Sequence, residues 1–162
     1  MELHERQDLV SDMLLGTGEW EPYETRLIQD RLKPGDTMVD VGANIGYYSL
    51  LASRICGPEG RVVAFEPQNQ NYALLQRNIE RNHCENVQAH RVGLWLEPKA
   101  AQLHLNNENC GDHQLALNSE RSQETVTLQA GDDLLAGGID FLKIDTQGAE
   151  FGALSGMEKT LQ

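Results

Sequence analysis

The sequence predicts an α/β fold with a mostly parallel sheet, flanking helices and an antiparallel β insertion. The first observation is that apolar, β-branched segments at 37–41, 61–66 and 87–94 alternate with segments of helical periodicity. Strands that alternate with single helices imply parallel pairing through right-handed crossovers. The second observation is that apolar and polar residues alternate with period two at 100–106 and 124–129, which is typical of antiparallel strands with one exposed face.

Two helices are expected before the first strand. Apolar residues recur at helical spacing from Leu9 to Leu14, and the sequence Gly16-Thr17-Gly18 ends that segment. Pro22 can open a second helix, which "KPGD" at 33–36 stops. We therefore predict an N-terminal helical segment over 1–33 and a cofactor-binding α/β domain over 34–162.

The two crossover helices and the last helix are predicted from apolar stripes. Tyr48, Leu51, Ala52 and Ile55 form the first stripe, and a second runs from Tyr72 to Ile79. A long polar stretch at 107–123 separates the two antiparallel strands, and loops of this length are usually functional or disordered. A buried strand is expected at 139–145, followed by a helix over 148–161 with these residues on one face: Phe151, Leu154, Met157 and Leu161.

Composition argues against several classes of partner. The 13 basic and 25 acidic residues give a net charge of −12, with no basic stripe for nucleic acid or an anionic membrane. The N-terminus does not resemble a signal peptide, and no segment approaches the roughly 20 apolar residues of a membrane span. Three widely spaced cysteines are typical of reduced thiols in a cytoplasmic protein, and the scattered histidines predict no metal site.

The segment "DVGANIG" at 40–46 lies where the first strand turns into a helix. Ligands of open parallel sheets bind outside the carboxyl ends of the strands, and the first such turn is the usual place. Glycine lets backbone amides approach a ligand and tolerates positive φ. The segment therefore predicts a nucleotide-like ligand beside Gly42 and Gly46.

The surrounding residues restrict the chemical class of the ligand. The turn lacks the lysine of a phosphate-binding P-loop, and Asn44 occupies the second glycine position of a dinucleotide fingerprint. Asp40 would repel phosphates but attract an ammonium or sulfonium group. Glu66 ends the second strand, where an acid can accept both ribose hydroxyls. Together these features describe S-adenosylmethionine (SAM).

Several motifs in order resemble the FkbM family of SAM-dependent methyltransferases. They are "VDVGANIGYYSLLA", "VVAFEPQNQNYALLQRNIERN" and "IDFLKIDTQGAE", followed by "ALSGMEKTL". "GEWEPYETRLI" and "NCGDHQL" are similar to further segments of that family. The resemblance runs from about residue 18 to 161. It implies a Rossmann-like class I methyltransferase fold and O-methylation of a hydroxyl on a sugar or other small-molecule acceptor.

The resemblance also implies roles for individual residues. The methionine end of SAM would be lined by Asp40, Gly42, Asn44 and Gly46. Glu66 would hold the ribose. The adenine would lie near Pro67, with backbone contacts from Gly93 and Leu94.

The sequence departs from the family pattern in two places. The family's usual V-E-G-A-E reads T-Q-G-A-E at 146–150, which removes one acid. We also expect the fifth strand and final hairpin of class I methyltransferases to be missing, because the sequence up to residue 162 contains no counterpart of them. We therefore expect the strand at 139–145 to form an exposed edge, which favours a homodimer through that edge.

Asp145 and Glu150 are the candidate catalytic residues, because they follow the last strand at the same sheet edge as Asp40. A base there has only to accept a hydroxyl proton. Lys143 lies in an apolar strand and needs an anionic partner. The alternative to a catalytic role is therefore that Asp145 or Glu150 forms a structural ion pair with Lys143. Asn109, Gly111 and Asp112 are candidate lid residues.

Two other functions remain open at this stage. The chain can be a catalytically incomplete binding or assembly module that pairs through its sheet edge. An NAD-dependent reductase fits badly because Asn44 obstructs a pyrophosphate.

Overall fold

The helices and strands form an open α/β arrangement. The computed structural model describes residues 1–5, 8–106, 109–115 and 122–162. The first half of the chain contains α1 (Leu9–Thr17), α2 (Pro22–Arg31), β1 (Thr37–Val41), α3 (Tyr47–Cys56), β2 (Arg61–Phe65), α4 (Asn69–Arg81) and β3 (Val87–His90). The second half contains β4 (Gly93–Leu94), β5 (Lys99–Leu105), β6 (Ser122–Gln129), β7 (Phe141–Ile144) and α5 (Glu150–Ser155).

The central sheet is parallel, as the alternation of strands and helices predicts. Its strand order is β3-β2-β1-β7, and each neighbouring pair runs parallel. A second sheet has the order β4-β6-β5, with β5 and β6 antiparallel over seven residue pairs. The period-two strands of the sequence therefore form the expected antiparallel insertion.

The predicted third strand is wrong as one continuous element. Residues 87–90 stay in the central sheet, whereas Gly93 and Leu94 pair with β6 in the second sheet. The chain thus leaves one sheet for the other between His90 and Gly93. An unbroken apolar run does not reveal such a change of partner.

The core lies on both faces of β1 and β2. Met38 and Val62 face α2 and α3, where Ile28 and Leu32 pack against them. Val39, Val63 and Phe65 face the other side, where they pack with Ala153 of α5 and with Met157. Burial on both faces explains why these strands are continuously apolar. Helix α2 shares this core, whereas Val10 of α1 packs against Ile45 and Leu74.

The predicted apolar face of the last helix is wrong for three of its four residues. Phe151, Leu154 and Leu161 are 84%, 42% and 47% exposed, whereas Met157 is buried as expected, together with Gly152 and Ala153. The Trp95 ring occupies the glycine side, because a Cβ at Gly152 would lie 2.3 Å from it. The regular helix ends at Ser155, well before residue 161.

Strand β7 forms one edge of the central sheet among the described residues. Its four residues are all partly exposed, unlike the buried residues of β1. This position at the edge agrees with the expectation for the strand at 139–145. Pairing with a second copy through this edge stays a prediction. Within the described ranges, no helix combines the length and apolarity needed to cross a membrane.

Candidate functional site

The turn after β1 has the left-handed geometry that its residues permit. Gly42, Asn44 and Gly46 have φ values of +80°, +52° and +94°. At Gly42 a Cβ would lie 1.9 Å from the carbonyl oxygen of Asp145, so the crossing of two strand ends requires glycine there. The Asn44 amide donates to Glu66 at 2.9 Å, which fixes the turn to the end of β2.

Glu66 is a buried carboxylate at the end of β2. It is 5% exposed, and its two oxygens accept hydrogen bonds from the backbone amides of Asn44 and Gln68 at 2.9 Å each. Burial raises the pKa of Glu66 to about 7, although these two hydrogen bonds and Lys143 oppose the increase. Each oxygen keeps a lone pair for a further donor. Glu66 can therefore bind a pair of ligand hydroxyls and can change charge near neutral pH.

Asp40 lies at the same edge of the sheet as Glu66 but behind the turn. It is fully buried, and its Oδ2 accepts a hydrogen bond from Ser49 Oγ at 2.6 Å. Its Oδ1 lies 3.2 Å from Lys143 Nζ. The side chain therefore supports the turn from inside the protein, whereas the resemblance implied a direct position beside the ligand.

Lys143 pairs with a different acid from the two considered in the sequence. Its register partner on β1 is Asp40, and its Nζ also donates to the Gly42 carbonyl at 2.9 Å. The sequence suggested Asp145 or Glu150, because both are nearby in the chain. The β1–β7 pairing decides the partner instead, and the lysine thereby holds β7 to the glycine turn.

A cavity of about 330 Å³ opens at the carboxyl ends of β1, β2 and β7. Its volume is within the usual range for small-molecule sites. Seven of the ten predicted site residues line it, namely Gly42, Asn44, Glu66, Pro67, Gly93, Leu94 and Asp145. The fold therefore gathers residues from 42 to 145 around one space.

The other three predicted residues are not among the described residues that line this cavity: Asp40, Gly46 and Glu150. Gly46 is the N-cap of α3, and a Cβ there would lie 2.6 Å from the Leu75 side chain, so close packing requires glycine at this position. Glu150 accepts hydrogen bonds from the Thr146 and Gly148 amides, both at 3.0 Å. Burial raises the pKa of Glu150, but these hydrogen bonds outweigh that effect and lower it. Glu150 is thus placed to order the loop at 146–148.

Asp145 lines the cavity directly after β7. Its Oδ1 accepts a hydrogen bond from Gln147 Nε2 at 2.7 Å. Gln147 occupies the position where the family pattern has an acid, and here it orients Asp145. A carboxylate held in this way beside the cavity can accept a proton from a bound hydroxyl.

The N-terminal segment and the start of α3 add cavity residues that the sequence analysis did not predict as site residues. Trp20, Glu21, Tyr47 and Tyr48 line the cavity, and the Tyr48 hydroxyl donates to Glu21 Oε2 at 2.7 Å. Burial and this hydrogen bond raise the pKa of Tyr48. Glu21 has a left-handed backbone with φ +40°, which is unusual for a residue other than glycine or asparagine. The motif "GEWEP" was the available signal, because Pro22 marks the start of α2 directly after Glu21.

The polar segment between β5 and β6 also contributes to the wall. The candidate lid residues Asn109, Gly111 and Asp112 all line the cavity, together with Cys110 and His113. The Cys110 carbonyl accepts hydrogen bonds from Asn44 Nδ2 at 3.3 Å and Asn71 Nδ2 at 3.0 Å. These contacts join the loop to the glycine turn. Residues 116–121 of the same polar stretch lie outside the described residues.

The chain is similar to known methyltransferases in sequence. The chain is 29% identical to Methyltransferase 1 of Beauveria bassiana over 77% of this chain and 60% of that protein. It is 28% identical to the hexuronic acid methyltransferase AglP of Haloferax volcanii over 85% of this chain and 56% of that protein. The chain therefore spans little more than half the length of these relatives.

A solved structure of the methyltransferase FkbM from Methylobacillus flagellatus shares the fold. It superposes with a TM-score of 0.57 at 19% identity, over 93% of this chain and 39% of that chain. The sequence-family model of the methyltransferase FkbM domain matches residues 40–162. This range includes the glycine turn, β7 and α5. The chain thus belongs to the FkbM methyltransferase family and has its Rossmann-like α/β fold.

Proposed function

We propose that this protein is a SAM-dependent methyltransferase. The observation that carries the proposal is that the Glu66 carboxylate and turn residues 42–45 border one cavity at the carboxyl ends of the parallel strands. The family membership supports methyl transfer as the reaction class. SAM supplies an electrophilic methyl group on a positively charged sulfur.

The residues around the cavity fit that cofactor. Glu66 would bind the ribose hydroxyls through the lone pairs that its backbone contacts leave. Four acidic residues line the cavity, namely Glu21, Glu66, Asp112 and Asp145. Lys143 also lines it, but its charge is already neutralised by Asp40. The resulting negative charge favours a ligand with sulfonium and ammonium groups. Pro67, Gly93 and Leu94 would lie beside the adenine.

Calorimetric titration tests the cofactor directly. We expect SAM to bind with a dissociation constant in the micromolar range, which corresponds to about 8 kcal/mol. NAD should not bind measurably, because the Asn44 side chain occupies the position where a pyrophosphate needs glycine. Tight NAD binding without SAM binding would replace the methyltransferase proposal with the reductase alternative.

The affinity for SAM should rise with pH through about 7. Burial raises the pKa of Glu66 to about 7 in the free protein, so the carboxyl is largely protonated below that pH. Ribose hydroxyls are donors and prefer the ionised form, so affinity should fall by up to about tenfold per pH unit below 7. Calorimetry between about pH 5.5 and 7.0 keeps the SAM amino group largely protonated. A flat profile in the wild-type protein would contradict the ribose role of Glu66.

The acceptor that we propose is a small hydroxylated molecule. Trp20, Tyr47 and Tyr48 offer aromatic surface on the cavity wall, with Glu21 and Asp145 as carboxylates for hydroxyl groups. Amphipathic walls of this kind suit sugars and similar polyols. The relative named as a hexuronic acid methyltransferase supports sugar chemistry. The carboxylates on the wall favour a neutral acceptor over an acidic one.

Asp145 is the residue that we propose as the general base. In methyl transfer to oxygen, the protein mainly positions the acceptor, and a base accepts the hydroxyl proton as the oxygen attacks. Asp145→Asn should therefore lower the rate of transfer by roughly 10²- to 10⁴-fold. The dissociation constant for SAM should change only a few-fold, because Asn keeps the size of the side chain.

The assay uses SAM with a radiolabelled methyl group and a panel of neutral hexoses and hexuronic acids. Asp133→Asn is the matched variant, because Asp133 is an exposed carboxylate that is not among the described residues lining the cavity; its rate of transfer should equal that of the wild-type protein. Equal rates for Asp145→Asn and the wild-type protein would refute the base assignment. SAM binding without transfer to any acceptor would instead favour the binding or assembly module.

A further inference from the structure

Three side chains that commonly bind metal ions meet where the N-terminal segment crosses the loop at 109–115. One ligand atom from each of His4, Asp8 and Cys110 lies within 4.8 Å of the other two. Asp8 and Cys110 are each 1% exposed, and His4 is half-buried. The group is separate from the residues proposed to bind SAM, although Cys110 also borders that cavity.

Asn71 on α4 orients two members of this group. Its Nδ2 donates to the Cys110 carbonyl at 3.0 Å, so its Oδ1 is the atom that faces His4 Nε2 at 2.9 Å. Since that oxygen is an acceptor, His4 Nε2 carries a proton and Nδ1 keeps a lone pair. Metal-binding histidines typically donate their second ring N–H to a carbonyl oxygen in this way. The arrangement therefore prepares His4 as a ligand.

Asp8 is held as a carboxylate within the same network. Its Oδ1 accepts a hydrogen bond from the Cys110 amide at 2.8 Å, and its Oδ2 accepts one from the Ser11 amide at 3.0 Å. Each oxygen of a carboxylate has two acceptor positions, so Oδ1 retains one for a cation.

We propose that His4, Asp8 and Cys110 form a three-ligand site for Zn²⁺. One nitrogen, one oxygen and one sulfur ligand suit this ion, and a fourth position would remain for water. Binding forms a zinc–thiolate bond, and the Cys110 thiol proton goes to solvent. The ion would join the N-terminal segment to the loop at 109–115. Both supply walls of the cavity, so zinc would stabilise that wall whether or not the proposed activity is correct.

Titration of the metal-free protein with Co²⁺ and then Zn²⁺ tests the site. We expect one Co²⁺ per chain with a thiolate-to-cobalt absorption band in the near ultraviolet, which Zn²⁺ removes. Cys110→Ser should abolish the band, whereas Cys84→Ser, at a second buried cysteine, should retain it. His4→Ala and Asn71→Ala should each lower the Zn²⁺ affinity by about 10- to 100-fold.

Three results would overturn the proposal. The first is the absence of a thiolate band in the wild-type protein, and the second is a band that persists in Cys110→Ser. The third is a Zn²⁺ affinity that is unchanged in His4→Ala, because it would indicate binding to the acidic surface. Circular dichroism of His4→Ala controls for folding, since this side chain is partly exposed and its removal leaves the core intact.

Discussion

Replacing Glu66 with glutamine should weaken SAM binding by about 100-fold. A hydrogen bond to a charged group contributes roughly 1.5–3 kcal/mol, so the loss of two ribose contacts costs about 3 kcal/mol or more. At 1.4 kcal/mol per tenfold change, this corresponds to about two orders of magnitude in affinity. Calorimetry with SAM measures the change, and the pH dependence expected near 7 should disappear in the same variant.

A second ligand separates loss of the ribose contact from distortion of the turn. Glu66 also accepts the Asn44 amide, so its replacement can disturb the turn at 42–46. If Glu66 holds the ribose, the wild-type protein should prefer adenosine to 2′,3′-dideoxyadenosine, and Glu66→Gln should lose that preference. An equal preference in both proteins would show that Glu66 acts only on the backbone.

Glu124 provides the matched control for this experiment. Its carboxylate accepts hydrogen bonds from Gln68 Nε2 at 2.9 Å and from the Asn69 amide at 3.0 Å, close to Glu66 in the structure. Glu124 is not among the described residues that line the cavity. Glu124→Gln should therefore leave the affinity for SAM and the preference for adenosine unchanged.

Replacing Lys143 with methionine should lower the free energy of unfolding by about 3–5 kcal/mol. Asp40 is fully buried and lies 3.2 Å from the Lys143 ammonium group, so the variant leaves a buried carboxylate without its counter-ion. The Ser49 hydroxyl donates one hydrogen bond to Asp40 but supplies no charge. The Gly42 carbonyl would also lose its donor, which weakens the connection between β7 and the glycine turn.

A double-mutant cycle in urea measures the coupling between the two charges. Asp40→Asn combined with Lys143→Met should cost less than the sum of the single changes, because both charges are then removed from the interior. Lys99→Met is the matched control, since Lys99 is an exposed lysine on β5 that lies over Trp95. It should change stability by no more than about 0.5 kcal/mol. Additive effects of Asp40→Asn and Lys143→Met would show that the two charges are not coupled.

The same pair explains why Asp40 was difficult to interpret from sequence. An acid before a glycine-bearing turn predicts a ligand contact, because such turns bind ligands at the strand ends. In the structure the side chain points into the protein, and Lys143 from the neighbouring strand neutralises it. Nothing within 40–46 indicates that a lysine 103 residues later lies opposite Asp40 in the register.

Side-chain clusters built from distant parts of the chain were equally difficult to predict from the sequence. Glu21 meets Tyr48 because α2 packs on α3, and Asp8 meets Cys110 across 102 residues of sequence. Their spacing follows no motif, so composition and periodicity contain no signal for either pair. The predicted absence of a metal site was based on local spacing and did not consider such long-range contacts.

The sequence by itself determined the α/β class, the antiparallel insertion and the position of the glycine turn. These features depend on local periodicity and on backbone geometry, which neighbouring residues control. Tertiary structure alone decided the partner of Lys143, the exposed face of α5 and the residues that close the cavity. Each of these depends on which surfaces meet in the folded chain. Gly152 of α5 and Gly156 directly after it face Trp95, because a Cβ at either position would collide with that residue.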